Sequence, residues 1–226
     1  MLSLLFANPA LFAAWMAAVF LSLTVHEFSH ALVARWRGDR TAEREGRLSL
    51  NPFDHIDPMG LIAFLALGFG WAKPVPYNPY NLKNPKWDAV AIGFAGPISN
   101  VLTAAVAALV FRALVDTGVL SPLNLLAGFL FLLIFINLAL AVFNLLPIHP
   151  LDGSKLAIAL LDRPGHAPIL DFLLRRGPQI LLLLVFISLF TPFHPFGFVF
   201  SFAQAGCGLL LGGSCGAYMN MLFAGA

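Results

Sequence analysis

Residues 9–35, PALFAAWMAAVFLSLTVHEFSHALVAR, decide the fold. A bilayer core about 30 Å thick needs roughly 20 apolar residues in a helix, and this run meets that length with a single acid, Glu27, inside it. Further runs stand out at 89–111, at 123–146 with a continuation past Pro147 toward 161, and at 180–190 with an extension as far as 202 across Pro192 and Pro195. The whole chain agrees with that reading. Of its 226 residues 59% are hydrophobic and 11% charged, with a mean hydropathy of +0.85, whereas a soluble domain carries about 25% charged residues. Such a chain cannot cover itself with a polar surface, so secreted disulfide scaffolds, disordered tails and basic nucleic-acid binders are excluded. The 13 Lys and Arg against 11 Asp and Glu leave a net charge of +2, too small for a polyanion partner.

Between the first two runs lies an apolar segment, 59–71, of only thirteen residues. That is short for a span and fits a re-entrant element. Arg35, Arg37, Arg40, Arg44 and Arg47 precede it, and Lys73, Lys83 and Lys86 follow it. If the segment dips in and returns, all these cations share one side, which the positive-inside rule makes cytoplasmic, with the N-terminus outside. The loop with Arg163, Arg175 and Arg176 then falls on the same side, leaving Arg112 outside. GRLSLNPFDHID at 46–57 predicts a short strand or hairpin, and KPVPYNPYNLKNPK at 73–86, with four prolines, an extended loop. The fold expected is an all-α polytopic membrane protein: about four to six transmembrane helices with a re-entrant or short β element after the first. One integral domain covers 1–226, its core at 9–161 and its C-terminal helices or tail at 162–226. The course of 206–226 is left open, and Cys207 and Cys215 fit either a disulfide or inert thiols, since their spacing is not a metal motif. The N-terminus lacks the basic n-region and cleavage site of a signal peptide, so its apolar run is expected to stay.

The chemistry lies in His26-Glu27-Phe28-Ser29-His30. Residues four apart on a helix share a face, so both imidazoles reach one ion while Glu27 sits beside them. Zinc lowers the pKa of a coordinated water to about 7, and a neighbouring carboxylate takes its proton during attack on a carbonyl. An acid and two histidines are costly in hydrocarbon, about 2.5–3.5 kcal/mol for the acid on insertion scales, and such residues usually serve a site. Two histidines need a further ligand, for which Asp152 in NLLPIHPLDG (144–153) leads; the bland alternative is an Asp capping a helix. Counted from the charged ends of their helices, His30 and Asp152 lie at roughly 7 and 15 Å depth, and Pro147 and Pro150 break the helix and let the Asp turn inward.

H-E-x-x-H in one membrane helix and N-x-x-P-x-x-x-L-D-G in a later one resemble the site-2 protease family of intramembrane zinc metalloproteases. Leu50-Asn51-Pro52, His55-Ile56-Asp57-Pro58, Lys73-Pro74-Val75-Pro76, Asn78-Pro79-Tyr80-Asn81-Leu82 and Gly96-Pro97-Ile98-Ser99-Asn100 resemble its compact branch without a PDZ domain. The resemblance implies that His26, His30 and Asp152 bind Zn2+, that Glu27 is the general base, and that Asn144 holds the substrate or the oxyanion. The family pattern has proline where this chain has His149, which leaves that imidazole free to compete for the metal, bond a ligand or point to the interface. Gly93, Gly96 and Asn100, at i, i+3 and i+7, make a small face for close helix approach.

The expected function is zinc-dependent endoproteolysis of the transmembrane or juxtamembrane part of a membrane-protein substrate. The expected setting is the lipid bilayer of a prokaryotic-type cell membrane, with the active site toward the cytoplasm. A non-catalytic membrane-helix-binding scaffold and a metal transporter using the same His/Asp site are the rivals. The intact Glu27 speaks against the first, and the lack of a polar ladder across the bundle against the second. No nucleic-acid partner is expected, and a homo-oligomer is left open.

Overall fold

The computed structural model describes residues 2–213 and 215–223; the remaining positions of the tail, 214 and 224–226, lie outside the described residues. Its helices are α1 (Leu2–Ala7), α2 (Pro9–Trp36), α3 (Thr41–Arg44), α4 (Pro58–Leu67), α5 (Pro85–Val115), α6 (Leu125–Asn144), α7 (Ser154–Leu161), α8 (Ala167–Phe190), α9 (Gly197–Leu210) and α10 (Cys215–Phe223). Four of them, α2, α5, α6 and α8, are long and apolar enough to cross a membrane. The chain is thus an all-α, multi-pass integral membrane protein.

Local chemistry sets where these helices begin. Asn8 accepts from Leu11 N ahead of Pro9, Asp57 accepts from Gly60 N ahead of Pro58, and Asn124 accepts from Leu126 N. Each cap satisfies an amide that the first helical turn leaves free, and proline at the first helical position loses nothing there. α4 is the short apolar segment, ten residues capped at its far end by Gly68 in the left-handed region, φ 76°. Its two flanks meet: Ile56 and Ala72 form an antiparallel bridge, and Lys73 N donates to His55 O at 2.8 Å. The segment therefore enters and returns at one place, as a re-entrant element does.

The strand expected within 46–57 does not form; among the described residues the Ile56–Ala72 bridge is isolated. Asn51-Pro52 starts a 3-10 turn instead, Asn51 capping Phe53 N, and the prolines of 73–79 leave too few donors for a longer ladder. The loop 73–84 is extended apart from a turn at Pro79–Asn81. Asp39, fully buried, ties it down by accepting from Asn78 N (2.7 Å), Asn81 Nδ2 (2.8 Å), Thr41 N (3.0 Å) and Thr41 Oγ1 (2.6 Å).

The core lies where α2, α5 and α6 pack, around Ala18, Ala104, Phe131 and Ile134. Alanines on α2 and α5 let these helices approach closely, as membrane interfaces prefer. α9 runs back along α6: Phe196 meets Phe143 edge-to-face at 5.3 Å and Phe200 stacks on Phe135 at 6.5 Å. Cys207 and Cys215 are paired as a disulfide across the α9–α10 turn, both buried. α10 returns over the start of α6, where Tyr218 packs on Phe131 at 4.7 Å. The tail thus packs against the bundle.

An apolar cavity of about 480 Å³ lies between α2, α4, α6 and the α8–α9 turn. Trp15, Val19 and Leu23 line it from α2, and Phe135, Ala139 and Phe143 from α6.

Candidate metal centre

His26 and His30 face the bundle from α2, both buried. Across from them, α6 ends at Asn144 and α7 starts at Ser154, and the break between them carries Asp152. The prolines at 147 and 150 prevent a continuous helix, and the loop closes on itself: Gly153 N donates to Asn144 O at 2.7 Å and Leu151 N to Ile148 O at 2.8 Å. The His149–Pro150 peptide within it is cis. Asp152 is brought to the histidine pair by this closure. Its Oδ2 lies 3.1 Å from His26 Nε2 and 3.4 Å from His30 Nε2, and the two Nε2 atoms are 3.0 Å apart.

With both rings neutral and protonated on Nδ1, all three atoms are acceptors that face one another. His30 Nδ1 lies 2.6 Å from Ile92 O, and His26 Nδ1 lies 2.5 Å from Asn100 Oδ1. A carbonyl oxygen only accepts, so each Nδ1 carries a proton, and each neutral imidazole then presents its Nε2 lone pair toward Asp152. Asp152 Oδ2 is itself buried without a hydrogen-bond donor. Three converging acceptors with no donor between them call for a cation. Tetrahedral zinc with bonds of about 2.0–2.1 Å holds its ligand atoms about 3.3–3.4 Å apart, close to the separations present, and each imidazole has the outer partner that metal-ligating histidines require. The donor set fits zinc and offers three protein ligands.

α5 closes the site from the side. A Cβ on Gly96 would lie 2.5 Å from His30 Nε2 and 2.6 Å from His26 Nε2, so the helix reaches the pair only with glycine there. The i, i+3, i+7 face of Gly93, Gly96 and Asn100 does serve close approach, and what it approaches is the histidine pair and the Asp152 loop. Pro97 interrupts the hydrogen-bond ladder inside α5 on this same stretch.

Glu27 is half-buried. It follows Leu23 by one turn on the stripe Trp15, Val19, Leu23 that lines the apolar cavity. The α6 wall of that cavity ends at Phe143, next to Asn144. Asn144 donates its side-chain amide to Leu140 O at 3.1 Å, so here it is not aimed at the three ligand atoms. His149 does not join the cluster of His26, His30 and Asp152; it packs under α8, where a Cβ on Gly177 would meet His149 O at 2.7 Å. His55 is buried beside the cavity, its Nε2 donating to Ser49 O at 2.8 Å. Three partners of the site escaped the sequence reading: the Ile92 carbonyl, Asn137 and Ser22. Asn137 accepts from Asn100 Nδ2 at 2.6 Å and donates to Ser22 Oγ at 2.7 Å. The available signal was a lone amide in an otherwise apolar span, which is costly unless it has a task.

The chain is similar in sequence to several known proteins. A Bacillus subtilis protein named as a zinc metalloprotease, YwhC, is 42% identical over 147 residues, 64% of this chain and 67% of that protein. Rip2 of Mycolicibacterium smegmatis, likewise named as a zinc metalloprotease, is 33% identical over 180 residues, 76% of this chain and 64% of Rip2. A third protein so named, sll0528 of Synechocystis sp., is 31% identical over 138 residues, 61% of this chain and 28% of its own length. The matches thus span about two thirds or less of these relatives. No solved structure matches the chain. The sequence model of peptidase family M50 covers residues 14–124 and 118–184, more than half of the sequence, and the chain belongs to that family.

Proposed function

We propose that the chain is an intramembrane zinc endopeptidase that hydrolyses peptide bonds in or near the transmembrane segments of membrane proteins, close to the cytoplasmic leaflet. The observation that carries this reading is the convergence of His26, His30 and Asp152 within 3.4 Å, with Glu27 one helical turn beyond Leu23, which lines an apolar cavity.

His26, His30 and Asp152 would hold the zinc. When bound, zinc supplies a Lewis acid that acidifies water and polarises a carbonyl. Glu27 takes the proton that water releases as its oxygen bonds to the scissile carbonyl carbon, and delivers it to the amide nitrogen as the C–N bond breaks. Asn144, freed from Leu140 O by rotation of its side chain, aims its amide N–H at the oxygen on which charge develops. The cavity, walled by Phe, Leu and Ala side chains, receives an unwound apolar segment and keeps bulk water from it. The cations at and just beyond the C-terminal end of α2, such as Arg35 on Glu43 and Arg37 on Asp88, support reading that end as cytoplasmic.

The test uses the full chain in proteoliposomes with fluorogenic transmembrane peptides, and measures zinc per chain alongside cleavage. Glu27→Gln is expected to keep zinc and lose cleavage, while His26→Ala and Asp152→Ala lose both. Cleavage undiminished in Glu27→Gln refutes the assigned base. Zinc flux across the vesicle wall without cleavage by the wild type makes the chain a carrier, and zinc binding with neither makes it a scaffold.

A further inference from the structure

A chain of buried amides runs from the metal site across the bundle. His26 Nδ1 meets Asn100 Oδ1 at 2.5 Å, Asn100 Nδ2 meets Asn137 Oδ1 at 2.6 Å, and Asn137 Nδ2 meets Ser22 Oγ at 2.7 Å and Leu133 O at 2.8 Å. Ser22 Oγ in turn donates to Ala18 O at 2.7 Å. Ser22, Asn100 and Asn137 are 0% exposed and His26 4%, so no water relaxes a mismatch.

The direction of every bond in this chain follows from one backbone carbonyl. Leu133 O only accepts, so the Asn137 atom beside it is the amide nitrogen, and Asn137 Oδ1 faces Asn100. Asn100 must then offer its nitrogen to Asn137 and its oxygen to His26. His26 is left with one role at Nδ1, that of donor, and its Nε2 lone pair faces the metal position. Turning either amide over puts two donors or two acceptors face to face in a dry interior.

From this we infer that Asn137, on α6 and remote from the metal position, is a positioning residue that fixes His26 as the Nδ1–H tautomer through Asn100. The inference rests on the metal-site reading given above and deepens it. Asn100 has one other tie, Nδ2 to Ser22 O at 3.5 Å, the longest contact in the chain. Asn137 therefore carries most of the orientation. Loss of an outer partner of this kind typically weakens metal affinity 10–100-fold, and the residual Ser22 O tie puts Asn137→Leu near the lower end, about 10-fold.

The experiment measures zinc affinity of the full chain in nanodiscs by competition with a chromophoric chelator. Asn137→Leu is expected to bind zinc about 10-fold more weakly than wild type. Ser22→Ala is expected to stay within about twofold, because Leu133 O still orients Asn137. The decisive arm is Asn100→Asp. A carboxylate presents an acceptor to His26 whichever way it turns, and it faces Asn137 Oδ1 as a repelling neighbour, so adding Asn137→Leu to Asn100→Asp is expected to leave zinc affinity unchanged or to raise it. Wild-type affinity in Asn137→Leu overturns the inference. So do equal losses in Asn137→Leu and Ser22→Ala, or an undiminished loss when Asn137→Leu is added to Asn100→Asp. Nitrogen-15 resonances of the His26 ring in the wild type give a second readout that needs no variant to fold. A proton on Nδ1, with and without zinc, supports the relay, and a bare Nδ1 overturns it. If the wild type binds no zinc, the metal-site reading fails, and the His26 resonances still decide the relay.

Discussion

Gly96→Ala should dismantle the metal site while the bundle stays folded. The added Cβ would lie 2.5 Å from His26 Cε1 and from His30 Nε2, whereas ordinary contact begins at 3.4 Å, a shortfall of 0.9 Å. The rings cannot simply retreat. Their Nδ1 atoms are held at 2.5 and 2.6 Å by Asn100 and by the carbonyl of Ile92, both on the helix that carries Gly96. Moving α5 away instead carries those partners with it and turns the rings. Either adjustment exceeds the roughly 0.2 Å within which metal–ligand distances hold. Overpacking of this kind costs about 1–3 kcal/mol of stability, which leaves the chain folded, but zinc affinity should fall at least about 100-fold, or about 2.7 kcal/mol. The assay is chelator competition on the purified protein with helical content followed by circular dichroism. Gly208→Ala, where a Cβ meets nothing within 4 Å, is the control. Zinc affinity in Gly96→Ala equal to that of the control would show that α5 does not press on the histidine pair.

Other perturbations separate the remaining parts of the structure. Asp39→Ala removes the acceptor of four hydrogen bonds that join α3 to the loop after α4 and should lower stability by about 2–4 kcal/mol, read as a lower midpoint of thermal unfolding. Burial opposes ionisation of the Asp39 carboxyl, but the Asn81 amide, the Thr41 hydroxyl and the backbone N–H groups of Asn78 and Thr41 hold it below the ordinary carboxylate range. Its stabilisation is therefore complete above the unfolded-state pKa of about 3.9 and fades as the pH falls through the lower folded value. The gap between wild type and Asp39→Asn should be flat above about pH 5 and close in stronger acid; a gap that widens in acid contradicts this sign. Ala139→Trp, filling the cavity from α6, should cut cleavage at least about tenfold with zinc affinity unchanged, and cleavage at the wild-type rate would remove the cavity from the substrate path. Cysteines introduced at Gly165 and Thr117, both exposed, should react with impermeant maleimide from the cytoplasmic and the opposite side respectively; labelling of both from one side refutes the proposed orientation.

The parts of the site that were legible share one property: their geometry is local. His26 and His30 meet because residues four apart share a helix face, and Asp152 declared itself as an acid at a proline-broken helix end. Asn100 was visible only as part of a small-residue face, because the spacing of Gly93, Gly96 and Asn100 says that something packs there but not what. Ile92 gave no signal, since it acts through a backbone carbonyl that every residue possesses. Asn137 and Ser22 obeyed the same cost rule that made Glu27 conspicuous, yet no motif surrounds them, and their role depends on which helices become neighbours. The strand expected near 46–51 failed for a related reason. Alternation within GRLSLN describes one edge, while a ladder needs a partner with free donors, and the prolines after Lys73 supply too few. Among the described residues the tail resolves into α9 and α10 packed on α6, an arrangement hidden by the prolines at 192 and 195 and set by aromatic pairs that sequence spacing does not reveal.

The break between α6 and α7 links the two halves of the proposed chemistry. Non-helical backbone at membrane depth survives only where its polar groups are satisfied by protein, and here the bond from Gly153 N to Asn144 O does so. That bond joins the residue before the break that would steady the oxyanion to the residue beside the one that would bind the metal. A Cβ on Gly153 would lie 2.1 Å from Leu145 O, so the closure depends on glycine next to Asp152. The proposed metal ligand Asp152 and the proposed amide of Asn144 are thus set by one backbone contact, while the other two proposed ligands and the proposed base ride on a continuous helix. A change in the loop should therefore impair metal binding and carbonyl polarisation together, whereas a change at Glu27 should separate them.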